Sequence, residues 1–291
     1  MFIATLIAAG TIDQGQISEG VDRLAAAGCA PSGWGWIDEG RAADIFIGVS
    51  TGARAALEGA FTGVDIVVQS IVTRTKRLLI ADMDSTMITV ECIDELADYA
   101  GIKPQIAAIT EAAMRGDLDF EGALDARVAL LAGLDEGVID RCLTERVRLM
   151  PGARTLIQTM KARGAAAVLV SGGFTRFADP VAAMIGFDCA VANLLGIVGG
   201  KLDGTVARPI VGAQTKLDML LETAKAKSIP IESTLAVGDG ANDLLMIGAA
   251  GLGIAYRAKP VVAAAADARV DHNDLAALLY AQGIPARDWI V

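Results

Sequence analysis

Four short apolar runs, each ending in a polar or glycine-rich turn, constrain the fold of this chain more than any other feature. They occupy residues 78–81, 167–170, 234–237 and 253–255, and stretches of helical character separate them. Runs of this length are typical of strands that lie buried on both faces of a parallel sheet. We therefore predict an α/β core built on a parallel sheet, with ligands binding where the carboxyl ends of the strands meet.

A largely helical insertion follows the first of these runs and occupies about residues 90–150. It includes four predicted helices, at residues 93–99, 103–114, 120–131 and 136–146. A helical insertion directly after the first strand of an α/β core indicates a cap over a catalytic sheet.

The first 75 residues follow a different pattern, in which strands and helices alternate. Strands are predicted at residues 2–8, 35–38, 45–49 and 65–69, and helices at 17–27 and 53–59. This β-α-β-β-α-β order predicts a ferredoxin-like α+β domain. We predict that residues 70–77 form a linker and that the chain divides into domains at 1–75 and 76–291, as its length allows.

The chain carries 35 acidic against 25 basic residues, which gives a formal net charge of −10. Such a surface repels nucleic acids and anionic membranes, so neither is expected as a partner. No uncharged run reaches the ~18 residues that a membrane helix needs. The apolar N-terminus lacks the basic residues of a secretory signal. We therefore predict a soluble, cytoplasmic protein.

A single histidine, His272, excludes chemistry that needs two or more histidines, such as histidine-rich zinc sites. Four cysteines have no C-x-x-C pair among them, so we expect buried thiols rather than disulfides or a zinc site. If the chain is an enzyme, its acid, base and nucleophile are expected among its carboxylates. His272 itself is predicted to be a structural or surface residue that caps a late helix.

Polar motifs follow the first two strands. After the first strand the chain reads D-x-D-x-T, and the aspartates at positions i and i+2, Asp82 and Asp84, can converge on one site. The alternative is a solvated turn or a helix N-cap at Ser85. The second strand ends in Ser171 and Gly172, followed by another glycine. These residues can present donors to an anion at the start of a helix, although a plain strand-to-helix turn explains them equally well.

Two further features lie later in the chain. Lys216 is part of a predicted helical stretch, where a lone lysine is usually a solvated surface residue. The third strand runs into G-D-G-x-N-D, which places Asp239, Asn242 and Asp243 in a glycine-rich loop. Such a loop suits Mg²⁺, which takes a few carboxylates and keeps its waters. A type I or II turn would explain the glycines, but not two acids and an asparagine at a strand end.

In this order the four motifs resemble those of the haloacid dehalogenase superfamily, which implies a Rossmann-like core with a cap. Within that superfamily the chain resembles the phosphoserine phosphatase family over roughly residues 76–285. The segments that carry this resemblance are 82–86, 90–97, 113–120, 127–128 and 170–174. The first 75 residues resemble the amino-acid-binding ACT domain in element order alone. For them we predict binding of serine or a role in forming a homodimer.

The resemblance implies an active site built from aspartates. Asp82 would be the nucleophile and form an aspartyl-phosphate. Asp84 would protonate the leaving oxygen and later take a proton from the attacking water. The implied cofactor is Mg²⁺, held by Asp82, the backbone carbonyl of Asp84 and Asp239, with Asp243 holding a metal-bound water.

The implied reaction is the hydrolysis of O-phospho-L-serine to L-serine and phosphate, the last step of serine biosynthesis. By resemblance the phosphoryl oxygens would bind Ser171, the Gly172 amide and Lys216, where charge builds in the transition state. Asn242 is placed among the substrate-binding residues as well.

Four residues of the cap region would complete the substrate site. By resemblance Arg127 would bind the carboxylate of phosphoserine as a bidentate fork, and Glu91 would pair with its ammonium group. Met114 and Phe120 would exclude water from the site. Without the resemblance, packing within the helices would be the preferred interpretation of Met114 and Phe120.

Other functions remain open at this point. A phosphotransferase could pass the same aspartyl-phosphate to another hydroxyl, such as that of homoserine. A phosphatase of another small phosphate ester is a third interpretation. Dehalogenase chemistry is disfavoured because it does not require the acid and base that Asp84 provides. A non-catalytic serine or phosphoserine sensor is disfavoured because the set of motif residues is intact.

Overall fold

The computed structural model describes residues 1–114 and 117–291, apart from the side chain of Met114. An antiparallel sheet forms the first part of the chain. Its elements are β1 (Phe2–Ala8), α1 (Gln14–Ala26), β2 (Pro31–Asp38), β3 (Ala42–Ile47), α2 (Ala53–Leu57) and β4 (Val64–Ser70). The strands lie in the order β2-β3-β1-β4. The element order is the predicted β-α-β-β-α-β, so a ferredoxin-like α+β arrangement is confirmed.

Both faces of this antiparallel sheet are covered. Successive residues of a strand point to opposite faces, and β1 follows this rule. Leu6 belongs to an apolar cluster with Ile17 and Leu24 of α1. Ile7, its neighbour in the strand, belongs to the large core cluster that the rest of the chain forms. The helices therefore cover one face, and the later part of the chain packs on the other.

A parallel sheet forms the centre of the remaining chain. Its strands and those of a hairpin are β5 (Leu78–Ala81), β6 (Ala166–Phe174), β7 (Cys189–Asn193), β8 (Leu195–Val198), β9 (Lys201–Val206), β10 (Thr234–Gly238), β11 (Gly253–Tyr256) and β12 (Ala268–Val270). The parallel sheet has the order β12-β11-β10-β5-β6-β7, while β8 and β9 pair as an antiparallel hairpin. The four predicted strands are β5, β6, β10 and β11, so the parallel α/β core is confirmed.

Helices cover both faces of the parallel sheet and form the insertion after β5. In chain order they are α3 (Cys92–Tyr99), α4 (Lys103–Met114), α5 (Phe120–Ala129), α6 (Gly137–Glu145), α7 (Ala153–Ala162), α8 (Thr175–Ile185), α9 (Ala213–Ala226), α10 (Leu244–Ala249), α11 (Pro260–Ala265) and α12 (Ala277–Ala281). Leu79 packs on one side of the sheet with residues of the insertion. Leu78 and Ile80 pack on the other side with Leu220 of α9. This double burial explains why the strands read as continuous apolar runs.

The first sheet is joined to the rest of the chain by hydrogen bonds to buried carboxylates. The Asp65 carboxylate accepts backbone N–H groups of Asp271, His272 and Asn273 at 2.9–3.3 Å. In the predicted linker, the Arg74 guanidinium binds the Asp44 carboxylate through two hydrogen bonds of 2.6 and 2.8 Å. The linker is therefore anchored at this residue, whereas the division into domains at residue 75 stays a prediction.

The single histidine and the four cysteines lie only partly where the sequence predicted them. His272 is exposed, but α12 begins after Ala276, so the histidine does not cap that helix. The Asp274 carboxylate accepts the N–H of Ala276, the residue before the helix. All four cysteines are free thiols and three are buried, but Cys189 is exposed at the start of β7, so the expectation of burial was wrong there. Within the described residues, no helix is long and apolar enough to cross a membrane.

Candidate active site

The predicted motifs converge at the carboxyl edge of the parallel sheet. Strand β5 pairs with β10 on one side and with β6 on the other, so the residues that follow these strands become neighbours. The Asp82 N–H donates to the Val237 carbonyl at 3.0 Å, which holds the two strand ends together. Asp82, Ser171 and Asp239 all line one cavity of about 380 Å³ at this edge.

Lys216 is the central cation of this edge. Its Nζ lies 2.6 Å from Oδ1 of Asp82 and 2.6 Å from Oδ1 of Asp243. The side chain is fully buried, so the common solvated interpretation of a lone helical lysine is wrong here. Burial alone would lower the pKa of Lys216, but the charges of Asp82 and Asp243 raise it above its ordinary value. The ammonium group therefore stays charged.

Asp243 organises the loop after β10. Its Oδ2 accepts the backbone N–H groups of Asp239 and Gly240 at 3.1 and 3.0 Å, while Oδ1 binds Lys216. A β-carbon on Gly238 would lie 2.3 Å from Cγ of Asp243, so only glycine leaves room for this carboxylate. The sequence pattern G-D-G-x-N-D thus combines a carboxylate that closes the loop with a glycine that makes space for it.

Three carboxylates lie close enough together to hold a metal ion. Oxygens of Asp82, Asp239 and Asp243 all lie within 4.8 Å of one another. Burial raises the pKa of Asp82, and the charge of Asp243 raises it further, against the effect of Lys216. Burial and the charge of Asp243 also raise the pKa of Asp239, to about 6. The charge of one lysine therefore does not neutralise the three carboxylates. A metal cation bound to their hard oxygen donors would neutralise the remaining negative charge.

Asp84 faces the same cavity in a different environment. Its Oδ1 is buried and has no hydrogen-bond partner among the described residues. Burial and the nearby charge of Glu91 raise the pKa of Asp84 to about 7. A carboxyl group with this pKa exists in both protonation states near neutral pH, so it can give and take a proton.

The turn after Asp84 brings Glu91 to the cavity. Ser85 adopts a left-handed backbone conformation, with φ +57°, and its hydroxyl donates to Oε1 of Glu91 at 2.6 Å. One interpretation of the sequence made Ser85 the N-cap of a helix. This interpretation is wrong, because no regular helix begins there. Thr86 points back to the loop after β10, because its hydroxyl donates to Oδ1 of Asp239 at 3.1 Å.

The Ser-Gly-Gly segment lies inside the end of β6 rather than after it. The strand continues to Phe174, and its pairing with β7 is irregular after Val170. The Gly173 N–H donates to Oγ of Ser171 at 2.9 Å. Buried Asn193 holds the segment, because its Nδ2 donates to the Gly172 carbonyl at 2.9 Å. The prediction that the strand ends at residue 170 was wrong, although a helix, α8, does follow.

The insertion closes the opposite wall of the cavity. Glu91, Phe120 and Arg127 line it, together with Asn242 from the loop after β10. The Arg127 Nε donates to the Ala123 carbonyl at 3.1 Å, and its two Nη atoms bind no other described residue. Phe120 covers the edge of the sheet, since a β-carbon on Gly172 would lie 3.1 Å from its Cζ. The side chain of Met114 lies outside the described part of the chain.

Sequence reasoning missed three contributors to this site. Asn193 also accepts the Val211 N–H at 2.7 Å, so it joins the end of β6 to the segment before α9. Thr86 was part of the first motif but received no role. Lys259 lines the cavity, and its N–H donates to the Asp239 carbonyl at 3.2 Å. Only Thr86 carried a usable signal, because it ends the D-x-D-x-T motif.

Comparisons with known proteins agree with this geometry. A sequence model of haloacid dehalogenase-like hydrolases matches residues 79–247. Over 231 residues the chain is 49% identical to a phosphoserine phosphatase of Streptomyces coelicolor, an alignment covering 79% of this chain and 56% of that protein. It is 47% identical over 202 residues to a phosphoserine phosphatase of Idiomarina loihiensis, covering 69% of this chain and 91% of the relative.

A solved structure extends the similarity to the whole chain. The unliganded probable phosphoserine phosphatase from Vibrio cholerae superimposes with a TM-score of 0.76 at 35% identity, covering 97% of this chain and 86% of that one. The fold and the strand-end carboxylates are those of a haloacid dehalogenase-like hydrolase. The chain belongs to that family and, within it, to the phosphoserine phosphatases. It spans little more than half the length of the Streptomyces relative.

Proposed function

We propose that this protein hydrolyses O-phospho-L-serine to L-serine and phosphate through an aspartyl-phosphate on Asp82. One observation carries the proposal: the carboxylates at the strand ends and two charged residues of the insertion, Glu91 and Arg127, line the same cavity. Phosphoserine carries a phosphate, an ammonium group and a carboxylate, and their respective partners would be a metal ion held by the strand-end carboxylates, Glu91 and Arg127. The similarity to phosphoserine phosphatases supports the same substrate.

In the first step a carboxylate oxygen of Asp82 forms a bond to phosphorus while the bond to the serine oxygen breaks. Lys216 holds Oδ1 of Asp82 at 2.6 Å, which fixes the carboxylate and leaves its other oxygen for attack. Asp84 gives its proton to the departing serine oxygen. Its pKa of about 7 supports this role, because a fully ionised carboxylate could not act as an acid.

In the second step water attacks the phosphorus of the aspartyl-phosphate. Asp84, now ionised, takes a proton from that water, and the bond to Asp82 breaks to give phosphate and the free carboxylate. Both protonation states of Asp84 are used in turn. The site therefore returns to its starting state without a histidine, in keeping with the exposed position of His272 away from the described cavity.

The proposed cofactor is Mg²⁺, which would neutralise charge on the phosphate and on the attacking carboxylate. Asp82, Asp239 and the backbone carbonyl of Asp84 would hold it. Asp243 would act through a bound water, since both of its oxygens already bind Lys216 or backbone N–H groups. The hard oxygen donors of the cluster and its uncompensated negative charge suit this ion.

The remaining polar groups would bind the substrate. Ser171, the Gly172 N–H, Lys216 and Asn242 would contact the phosphoryl oxygens. Arg127 would bind the serine carboxylate, for which its Nη atoms, which bind no other described residue, are suited. Glu91 would pair with the ammonium group, and Phe120 with Met114 would keep water out. Binding of serine by the first 75 residues, assembly as a homodimer and a cytoplasmic location stay predictions.

The decisive experiment measures phosphate release from O-phospho-L-serine with Mg²⁺ and with EDTA, beside a panel of other phosphate esters. We expect phosphoserine to be the preferred substrate and turnover to require the metal ion. Addition of homoserine tests transfer, because a phosphotransferase would form phosphohomoserine instead of free phosphate. Preference for an ester without a carboxylate would overturn the substrate assignment, whereas activity in EDTA would overturn the metal site.

A further inference from the structure

Helix α5 presents one side to the cavity. Its cavity-lining residues recur at the spacing of a single helix face: Phe120, Ala123, Leu124 and Arg127. Phe120 packs closely against the edge of the sheet at the start of this helix face. A β-carbon on Gly212 would lie 3.3 Å from its ring, and a β-carbon on Gly172 would lie 3.1 Å from it. The position of Arg127 over the site therefore depends on how far the helix can move away from the sheet.

The β8–β9 hairpin lies behind the same helix. Residues two apart in an α-helix point about 200° apart around its axis, so Asp125 and Ala129 lie opposite Arg127. Asp125 forms an ion pair with Arg208, which follows β9. Gly204 of β9 lies directly against the backbone of Ala129. The hairpin thus contacts the face of α5 that points away from the cavity.

Backbone hydrogen bonds join the hairpin to the segment that follows α5. The Gly133 N–H donates to the Leu202 carbonyl at 2.8 Å, and the Leu202 N–H donates to the Leu134 carbonyl at 2.9 Å. The Glu136 N–H donates to the Gly200 carbonyl at 2.9 Å. These bonds form a short ladder, so the end of α5 cannot shift without moving the hairpin as well.

We propose that the β8–β9 hairpin is a specificity element, which supports α5 from behind and thereby sets the reach of Arg127 to the substrate carboxylate. The proposal rests on the proposed function and adds a positioning residue to it, Gly204. The described hydrogen bonds and ion pairs join the hairpin to α5 and to the segment after it, and none of them reaches the strand-end carboxylates or Lys216. We therefore expect the hairpin to act on recognition of the carboxylate and not on phosphoryl transfer.

Gly204 is the point where the hairpin can be changed most sharply. A β-carbon there would lie 3.0 Å from Cβ of Ala132, in the turn directly after α5, and 3.4 Å from the Ala129 carbonyl oxygen. That turn would have to give by a few tenths of an ångström, and we expect the end of α5 to move with it. Its φ of +86° also disfavours other residues. Gly199, at the hairpin turn, has φ +60° but open space around its would-be β-carbon. Gly199→Ala therefore places a side chain at a positive φ in the same hairpin without contacting the helix.

The test compares O-phospho-L-serine with p-nitrophenyl phosphate, a reactive ester that has no carboxylate. We expect Gly204→Ala to lower kcat/KM for phosphoserine by about fivefold or more, mainly through KM, because small misplacements of binding groups are costly. The value for p-nitrophenyl phosphate should change less than twofold. Gly199→Ala should leave both substrates within twofold. Gly204→Val should lower kcat/KM for phosphoserine further than Gly204→Ala does. If the valine variant does not fold, the alanine variant alone provides the test.

A double-mutant cycle with Arg127→Ala separates positioning from general damage. In that background Gly204→Ala should have no further effect on phosphoserine, because the group that it displaces is gone. An equal loss for both substrates, or the same loss with and without Arg127, would overturn the proposal. Failure of the proposed function would appear earlier and differently, as absence of phosphoserine turnover in the unmodified protein.

Discussion

Replacing Lys216 by methionine should destabilise the protein severely. The ammonium group is fully buried and lies 2.6 Å from the carboxylates of Asp82 and Asp243, which are themselves almost or fully buried. With an effective dielectric constant of about 20, each contact corresponds to roughly 6 kcal/mol of Coulomb attraction before desolvation is subtracted. Removal of one partner from a buried ion pair typically costs about 3–5 kcal/mol, because the other charge stays buried alone. We expect Lys216→Met to lower the free energy of unfolding by that amount.

Urea unfolding in EDTA, followed by circular dichroism, measures this loss. Lys161→Met is the matched control, since Lys161 lies 2.7 Å from Asp188 but both side chains are about one third exposed. Exposed pairs contribute about 0–1 kcal/mol, so the control should lose little. Mg²⁺ should restore part of the stability of Lys216→Met by supplying positive charge, but not its activity. Equal losses in the two variants would refute the view that Lys216 compensates the buried carboxylates.

Four further outcomes are expected. Asp82→Asn should abolish phosphate release with an unchanged circular dichroism spectrum, and appreciable residual turnover would exclude Asp82 as the nucleophile. EDTA should stop turnover and Mg²⁺ restore it, and Mg²⁺ at 100 times its Kd should add about 2.7 kcal/mol of stability in thermal unfolding. Thr86→Val removes the hydroxyl that binds Asp239, so the Mg²⁺ concentration for half-maximal rate should rise about tenfold or more; an unchanged value would contradict this. Asp65→Ala removes the charged acceptor of three backbone N–H groups and should lower the free energy of unfolding in urea by about 1–3 kcal/mol, whereas no measurable loss would show that water replaces the carboxylate.

The strands of the parallel core could be predicted because each is a continuous apolar run with a polar end. Strand β5 has the predicted bounds, and β10 extends one residue beyond its predicted end. Strands at the edge or outside the core escaped prediction. Strand β7 has exposed or half-buried residues at four of its five positions, and the β8–β9 hairpin lies outside the parallel sheet. Strands β7 and β8 both lie in one uncharged run over residues 189–200, where no charged turn separates one strand from the next, so the pattern does not mark their ends.

Helix ends depend on local hydrogen bonds that apolar spacing does not report. Helix α1 was predicted to begin at residue 17 but begins at Gln14. The Asp13 carboxylate accepts the Gln16 N–H, and the Gln16 side chain accepts the Asp13 N–H. This capping box satisfies the first backbone donors of a helical turn that carries no apolar residue. The pair D-x-x-Q was a signal in the sequence that periodicity alone overlooks.

The acids of the site could be predicted from their motifs, but their cation could not. Lys216 has no local feature that separates it from a surface lysine. It is buried because α9 packs beside strands β5 and β6, and the ends of β5 and β10 bring two carboxylates to its ammonium group. That convergence belongs to the tertiary structure. The same holds for Asn193, which sits at the end of an edge strand and receives its role from the segments that it joins.

The antiparallel sheet shows how an alternating polar pattern can conceal an interface. Thr5, Asp44, Asp65 and Gln69 would be read as the solvent face of this sheet, yet all four are buried. Asp65 accepts the N–H groups of residues 271–273, and Gln69 donates to the Ala281 carbonyl at 2.7 Å. Deletion of residues 1–75 would therefore expose unpaired backbone groups and part of the common apolar core as well as removing any ligand site. A role of this region in binding or assembly should be tested by substitutions on its helical face, because these leave the shared interface intact.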